Sequence, residues 1–441
     1  MVERAGRRGT WWMVGLVVLA VAAAGTTYSV LGRRAEEPAT AGPPSPPVTR
    51  PSAAAGSSGP PGDKRMLAEI DAVLKTRASA VRTGQLAQFL QHLDPQNSAL
   101  RRRHQQLFGN LRKLGLRHLS YRREGGWVPE PQPQHGSEAR AFRVMMLVQV
   151  TGIDPAPRFV PLGYTFAERG GRWLLVDDDD LAGEQDRGTY REPWDLGPIE
   201  AVRGPGVLVV VPANERANGR RLVGEARRAT PAVRAALKRS PAGVLVIAMA
   251  DQRSMDTGWQ TGGHPAAAVA VQNFSPVTAA ATRFEVTGSR VVINPTERTK
   301  ADRFLLAHEF THAAMAPLGG KAPTWLVEGL AEYVEFRLTS RHGDHQRVAD
   351  RRRTLLRQAI PAVRRLPTDN DFRGAYDEQS YGVSWIVVEY LADEYGISTL
   401  NALYADLARG PEDAAARERA LRQHLDTSEA ELVAAVKEYD G

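Results

Sequence analysis

The alternation of apolar and polar positions divides the chain into four stretches of different character. Residues 10–32 carry no charge, and the apolar run from Trp11 to Leu31 is long enough to cross a bilayer. Residues 35–62 hold 8 prolines among Ala, Ser, Gly and Thr and show no apolar period, so they read as an extended linker. From residue 64 a period returns. Met66, Ile70, Val73, Leu74, Ala80 and Val81 recur at helical spacing, and a second helix is expected over 100–111. Strands follow at 118–122, 141–151, 158–168 and 172–176, with Gly170-Gly171 turning the last pair.

After a segment rich in turn residues, the pattern changes again. Residues 207–211 and 244–250 are almost wholly apolar, which predicts strands covered on both faces, and 221–239 between them reads as a helix. A third strand is expected at 267–272, then a hairpin of 282–287 with 290–294 about Gly288-Ser289. The remainder is helical: 301–316, a helix capped by Thr324, then 342–365, 377–395, 397–408 and 412–425. A last helix is opened by the capping box Ser428-x-x-Glu431.

These elements predict an α+β protein. Its parts are a cytoplasmic N-terminus (1–10), a transmembrane anchor (11–32), a Pro/Ala-rich linker (33–63) and a small helix-plus-antiparallel-sheet domain (64–180). A connector (181–198) then leads to a larger domain (199–441) with a mixed upper sheet and a helical lower lobe. Arg4, Arg7 and Arg8 before the apolar run place the N-terminus inside, so a single pass leaves the rest outside the cytoplasm. The competing reading is a signal peptide cleaved near Ala22-Ala23-Ala24; the run continues past that point, which favours the uncleaved anchor.

Charge narrows the function classes. The net charge of +7 is spread over scattered arginines, and the runs 101–103 and 351–353 lie in helical patterns without interleaved aromatics. That composition argues against nucleic acid as a partner. With no cysteine in the chain, neither disulfides nor thiolate metal sites are available. Nothing in the sequence fixes the oligomeric state.

The chemistry concentrates in 307–333. His308 and His312 are four apart in a helical run, so both imidazoles reach one side of the helix and one metal ion. Glu309 stands beside them, placed to address water on that metal. Pro317, Gly319 and Gly320 end this helix, and Glu328 then falls in the first turn of the next. A hydrolytic zinc site needs three protein ligands and an open position, and Glu328 would be the third ligand. Glu332, one turn on, would accept the second ring N–H of a ligating histidine. Trp325, Leu326, Leu330, Tyr333, Val334 and Phe336 surround these glutamates with apolar positions, so the helix is expected to be buried and its carboxylates to need partners. The ordinary alternative is a solvated amphipathic helix with unrelated hydrogen bonds. Two other groupings read as surface features: the acidic run 177–180, which lacks the glycine and distal glutamate of a calcium loop, and His342 with His345.

The pair His308-Glu309-x-x-His312 and Trp325-Leu326-x-Glu328-Gly329-x-Ala331-Glu332-Tyr333 resembles the gluzincin zinc metallopeptidases, most closely the peptidase-MA-like group. The resemblance covers about residues 200–441 and implies a zincin-like catalytic domain with Zn2+ held by His308, His312 and Glu328. It also implies Glu309 as the base acting on a zinc-bound water, and a peptide or protein as substrate. The spacing departs from the larger gluzincins, because only 15 residues separate His312 from Glu328. The metzincin pattern fails outright, since its further glycine and histidine would fall on Met315 and Leu318. In the resembled group a helix of the type running from Tyr381 to Gly396 crosses the active-site helices. Tyr381 is therefore the candidate oxyanion donor and Tyr376 the fallback. A strand between 267 and 294 is expected to offer its edge to an extended substrate. Residues 64–180 resemble a nuclear-transport-factor-2-like cone domain. The expected function is a membrane-anchored extracytoplasmic zinc metallopeptidase. The alternative is a noncatalytic surface protein of the same fold that binds a protein partner or an anionic wall polymer.

Overall fold

The computed structural model describes residues 61–440 except 125–127, 182–190, 249, 251–266, 279–282, 343 and 373–376. The expected anchor at 11–32 and nearly all of the linker lie outside the described residues. Among the described residues, no helix is long and apolar enough to cross a membrane.

The N-terminal unit is built from α1 (Pro61–Thr83), α2 (Leu86–Leu90) and α3 (Ser98–Lys113) against an antiparallel sheet. The helical period puts Ile70, Val73, Leu74 and Val81 in the core. Asn97 caps α3 by accepting a hydrogen bond from the Leu100 amide at 3.0 Å. The sheet consists of β1 (Leu116–Arg123), β3 (Arg140–Val150), β4 (Arg158–Arg169) and β5 (Arg172–Asp177) in that order, with the short β2 (Glu130–Pro131) beside β3. Gly170 and Gly171 turn β4 into β5 with φ of 59° and 76°, a region that favours glycine.

The second sheet is mixed, in the order β6-β7-β8-β10-β9. β7 (Val207–Pro212), β8 (Val244–Ala248) and β10 (Phe284–Ile293) run parallel, while β6 (Ile199–Gly204) and the outer β9 (Ala268–Pro276) are antiparallel to their neighbours. The apolar runs now have a cause. Val207, Val209, Val211, Val246, Val291 and Ile293 face the crossover helix and the helical lobe. Leu208, Val210, Leu245, Ile247 and Val292 face the N-terminal unit and share its core. A sheet covered on both faces has no polar side to show in its sequence.

The segment expected as a connector is part of this join. It carries α4 (Pro193–Leu196), whose Trp194 is fully buried. Asn110 of α3 donates to the carbonyls of Trp194 (2.7 Å) and Gly197 (2.8 Å). Arg158 of β4 donates to Glu192 at 2.7 Å, and Arg290 of β10 lies 3.7 Å from the same carboxylate oxygen. Arg158 and Glu192 are buried and Arg290 is nearly so, so one carboxylate sits between guanidinium groups from the two sheets.

Three sequence expectations change. No hairpin forms about Gly288-Ser289: β10 is one strand from 284 to 293, with a register shift against β9 between Val286 and Gly288. The turn residues mark a bulge, and the hairpin closes earlier, where the Val277 amide donates to the Arg283 carbonyl. The stretch 342–365 is not one helix. It divides into α8 (His345–Thr354), a π-helical turn at Leu355–Ala359 and a 3-10 turn at Ile360–Ala362, where Pro361 interrupts the helical hydrogen bonding. The crossover helix α5 (Arg216–Leu237) begins a turn earlier than expected.

Candidate metal centre

Two helices bring the site together. In α6 (Arg303–Met315), Asp302 caps the first turn by accepting from the amides of Phe304 and Leu305. From Leu306 to Met315 every residue is buried, so α6 has no polar face turned to water. His308, Glu309 and His312 therefore project into the protein interior. The next helix, α7 (Thr324–Arg341), is equally enclosed from Trp325 to Val334. Thr324 is its first helical residue rather than its cap. Asp369, from a distant segment, accepts from the Thr324 amide (3.4 Å) and hydroxyl (2.6 Å) instead.

The side chains of His308, His312 and Glu328 converge. Glu328 Oε2 lies 3.5 Å from His308 Nε2 and 3.7 Å from His312 Nε2, too far for good hydrogen bonds. The two rings stand 5.0 Å apart at 71°. One ligand atom from each of the three residues lies within 4.8 Å of the other two, a spacing that fits a shared cation. Both Glu328 oxygens, His308 Nε2 and both His312 ring nitrogens are buried with no hydrogen-bond partner. Orphaned buried polar atoms are costly, and their convergence is what a bound cation explains. Two imidazoles and a carboxylate suit zinc, with a fourth position left open.

The electrostatics follow from this crowding. Burial works against charge on His308, but the carboxylates of Glu328, Glu335 and Glu309 outweigh it and push the ring well above its usual value. Burial and the His308 charge push His312 well below. Glu328 is raised by burial, against the opposing pull of His308. Glu309 is raised to about 8, by burial first and then by Glu328 and Glu335, with His308 opposing; neither of its oxygens has a hydrogen-bond partner.

Comparisons with known proteins stand apart from this geometry. No family model matches the chain, and no curated protein does. Among solved structures the chain is similar to yeast LTA4 hydrolase in complex with bestatin, at a TM-score of 0.34 and 13% identity over 64% of this chain. It spans 44% of that enzyme's length. It is also similar to a mutant two-domain M1 zinc metallopeptidase bound to L-tryptophan (0.33, 14% identity, 74% of this chain and 72% of that one). A mutant M1 zinc metallopeptidase from Deinococcus radiodurans bound to a Tyr-Ser-Ala substrate gives 0.31 and 15%, over 72% of this chain and 69% of that one.

Around the three converging groups, the remaining expected residues are distributed unevenly. The Nδ1 of His308 is hydrogen-bonded to Glu335 Oε2 at 3.2 Å, whereas Glu332 Oε1 lies 3.8 Å away. Glu335 was not singled out from the sequence, although it sits seven residues after Glu328 on the same face of α7. Tyr381, on α9 (Asp377–Glu394), is buried and packs edge-on against Phe372 at 5.2 Å. Tyr376 lies outside the described residues. A second hydroxyl had no sequence signal: Tyr404 of α10 (Gly396–Arg409) is buried, and its pKa is raised by burial and by the negative charge of Glu328. A cavity of about 180 Å³ opens beside Glu328, walled by Trp325, Val327, Leu366 and Leu407.

The groupings set aside in the sequence have local partners. Asp180 accepts from Thr165 at 2.5 Å and pairs with His135 at 3.0 Å. His342 Nδ1 bonds the Leu338 carbonyl, and His345 Nδ1 bonds Ser340.

Proposed function

We propose that this chain is a zinc metallopeptidase of the gluzincin type that hydrolyses peptide bonds. The observation carrying the reading is the convergence of His308, His312 and Glu328 as buried, unpartnered ligand atoms beside the unpartnered carboxylate of Glu309. Zinc bound there would supply Lewis acidity and make water at its open position acidic enough to attack near neutral pH.

The chain's own groups do the rest. His308, His312 and Glu328 would hold the ion. Glu309, beside the ligands on α6, would take the proton from the attacking water and pass it to the leaving amine. A hydroxyl donor would stabilise the oxyanion. Tyr381 holds that place by resemblance, and Tyr404, one turn from the Leu407 that walls the cavity beside Glu328, is its rival. The outer strand β9 is the edge on which an extended peptide would lie. The uncharged run 10–32 after Arg4, Arg7 and Arg8 supports a membrane anchor with the peptidase outside the cytoplasm.

Metal analysis of the purified full-length protein tests the ligand set. The expected result is about one zinc per chain, lost in His308→Ala, His312→Ala and Glu328→Ala, with chelator-sensitive cleavage of a mixed peptide library. Cleavage that persists after complete removal of metal would refute the reading.

A further inference from the structure

We propose that Glu335, and not Glu332, is the positioning residue that orients His308. The inference rests on the metallopeptidase reading and adds a residue to it. A ligating imidazole has two nitrogens, and what its second nitrogen bonds determines the tautomer and the ring's orientation. The reach of α7 decides which carboxylate does this. Glu328, Glu332 and Glu335 occupy one face of α7 at intervals of four and three residues. Glutamate side chains on a helix lean toward its N-terminus, so a carboxylate acts on a spot nearer the start of the helix than its own Cα.

Both glutamates lean this way, and their distance from the ring separates them. Glu335 reaches back to His308 Nδ1 at 3.2 Å, within hydrogen-bonding distance. Glu332, one turn nearer to Glu328, stops at 3.8 Å from the same atom, beyond it. With the proton on Nδ1, His308 donates to Glu335 and leaves the Nε2 lone pair facing Glu328 and His312. The contact spans 27 residues of sequence and joins α6 to α7 on the side of the ring away from Glu328.

The test is a zinc-affinity titration of metal-stripped, full-length protein in competition with a chromophoric chelator. Wild type is compared with Glu335→Ala, Glu335→Gln and Glu332→Gln, and each apo form is also melted thermally. Glu335→Ala should bind zinc about 10- to 100-fold more weakly than wild type. Glu335→Gln should recover part of that loss, because the amide oxygen still accepts the ring N–H. Glu332→Gln should stay within about threefold of wild type. Should Glu335→Ala fail to fold, the ranking of Glu335→Gln below Glu332→Gln carries the test, since both preserve side-chain volume. Equal affinity of Glu335→Ala and wild type, or a loss that falls on Glu332→Gln alone, overturns the proposal and leaves the metallopeptidase reading standing. A wild type that takes up no zinc overturns both.

Discussion

A methyl group placed on Gly329 would lie 2.5 Å from the backbone oxygen of Ser384 and 2.7 Å from Val388. Helices α7 and α9 cross there at a separation only glycine permits, and Gly329 directly follows the candidate ligand Glu328. Gly329→Ala must therefore push α7 away from α9 and carry Glu328 with it. The expected cost is about 1–3 kcal/mol in urea unfolding, together with weaker zinc binding. Wild-type stability and wild-type affinity in this variant would contradict the account of the crossing.

Glu192 should matter to stability although it lies far from the metal centre in sequence. It is the carboxylate between the buried guanidinium of Arg158 and the largely enclosed one of Arg290. Glu192→Ala would leave both without that partner, and breaking a buried pair in this way costs about 3–5 kcal/mol. Denaturant unfolding measures it. A loss below about 1 kcal/mol would mean that water enters the join between the two sheets.

The response to pH should be set by opposing groups in the N-terminal unit and in the α4 segment that joins it to the second sheet. His104 is lowered to about 4 by burial and by Arg77, so it stays neutral in the fold. The stability this gives is present above about pH 6.5 and is lost as pH falls through 4. Asp195 is raised to about 7 by burial, with its hydrogen bond from the Glu192 amide opposing and the Glu192 charge adding. Its contribution has the other sign, present below about pH 4 and lost as pH rises through 7. Asp195→Asn keeps an acceptor for the amide but removes the titration. The variant should melt higher than wild type at pH 8 and lose that advantage by pH 5. The same difference at both pH values would contradict this assignment.

The two candidate hydroxyls can be separated by kinetics. Tyr404→Phe is expected to lower kcat by about 100-fold with zinc retained, because Tyr404 lies one turn from Leu407, which walls the cavity beside Glu328. Tyr381→Phe, which keeps the ring packed on Phe372, should change kcat far less. The reverse ranking would return the oxyanion role to Tyr381.

Much of this site could be read from the sequence, for a physical reason. His308, Glu309 and His312 are fixed relative to each other by a single helix, and the polar residues stand out because the run around them is apolar. The strands expected at 207–211 and 244–250 were equally plain, since burial on both faces leaves no alternation to interpret, and they fold as Val207–Pro212 and Val244–Ala248. The losses came where tertiary contacts decide. Gly288-Ser289 has turn chemistry, but pairing with β9 absorbs it as a bulge. Thr324 resembles a cap, yet Asp369 arrives from 45 residues away to take that role. Glu332 and Glu335 are indistinguishable by spacing, and only the seating of α6 against α7 brings Glu335 within hydrogen-bonding distance of His308.

The most direct test of the central claim is the Glu309→Gln variant of the full-length protein, assayed in parallel for zinc content and for cleavage of a mixed peptide library. Glutamine keeps the shape of the side chain but cannot accept the proton. The account predicts unchanged zinc content with cleavage reduced at least about 100-fold. Undiminished cleavage by Glu309→Gln would contradict it.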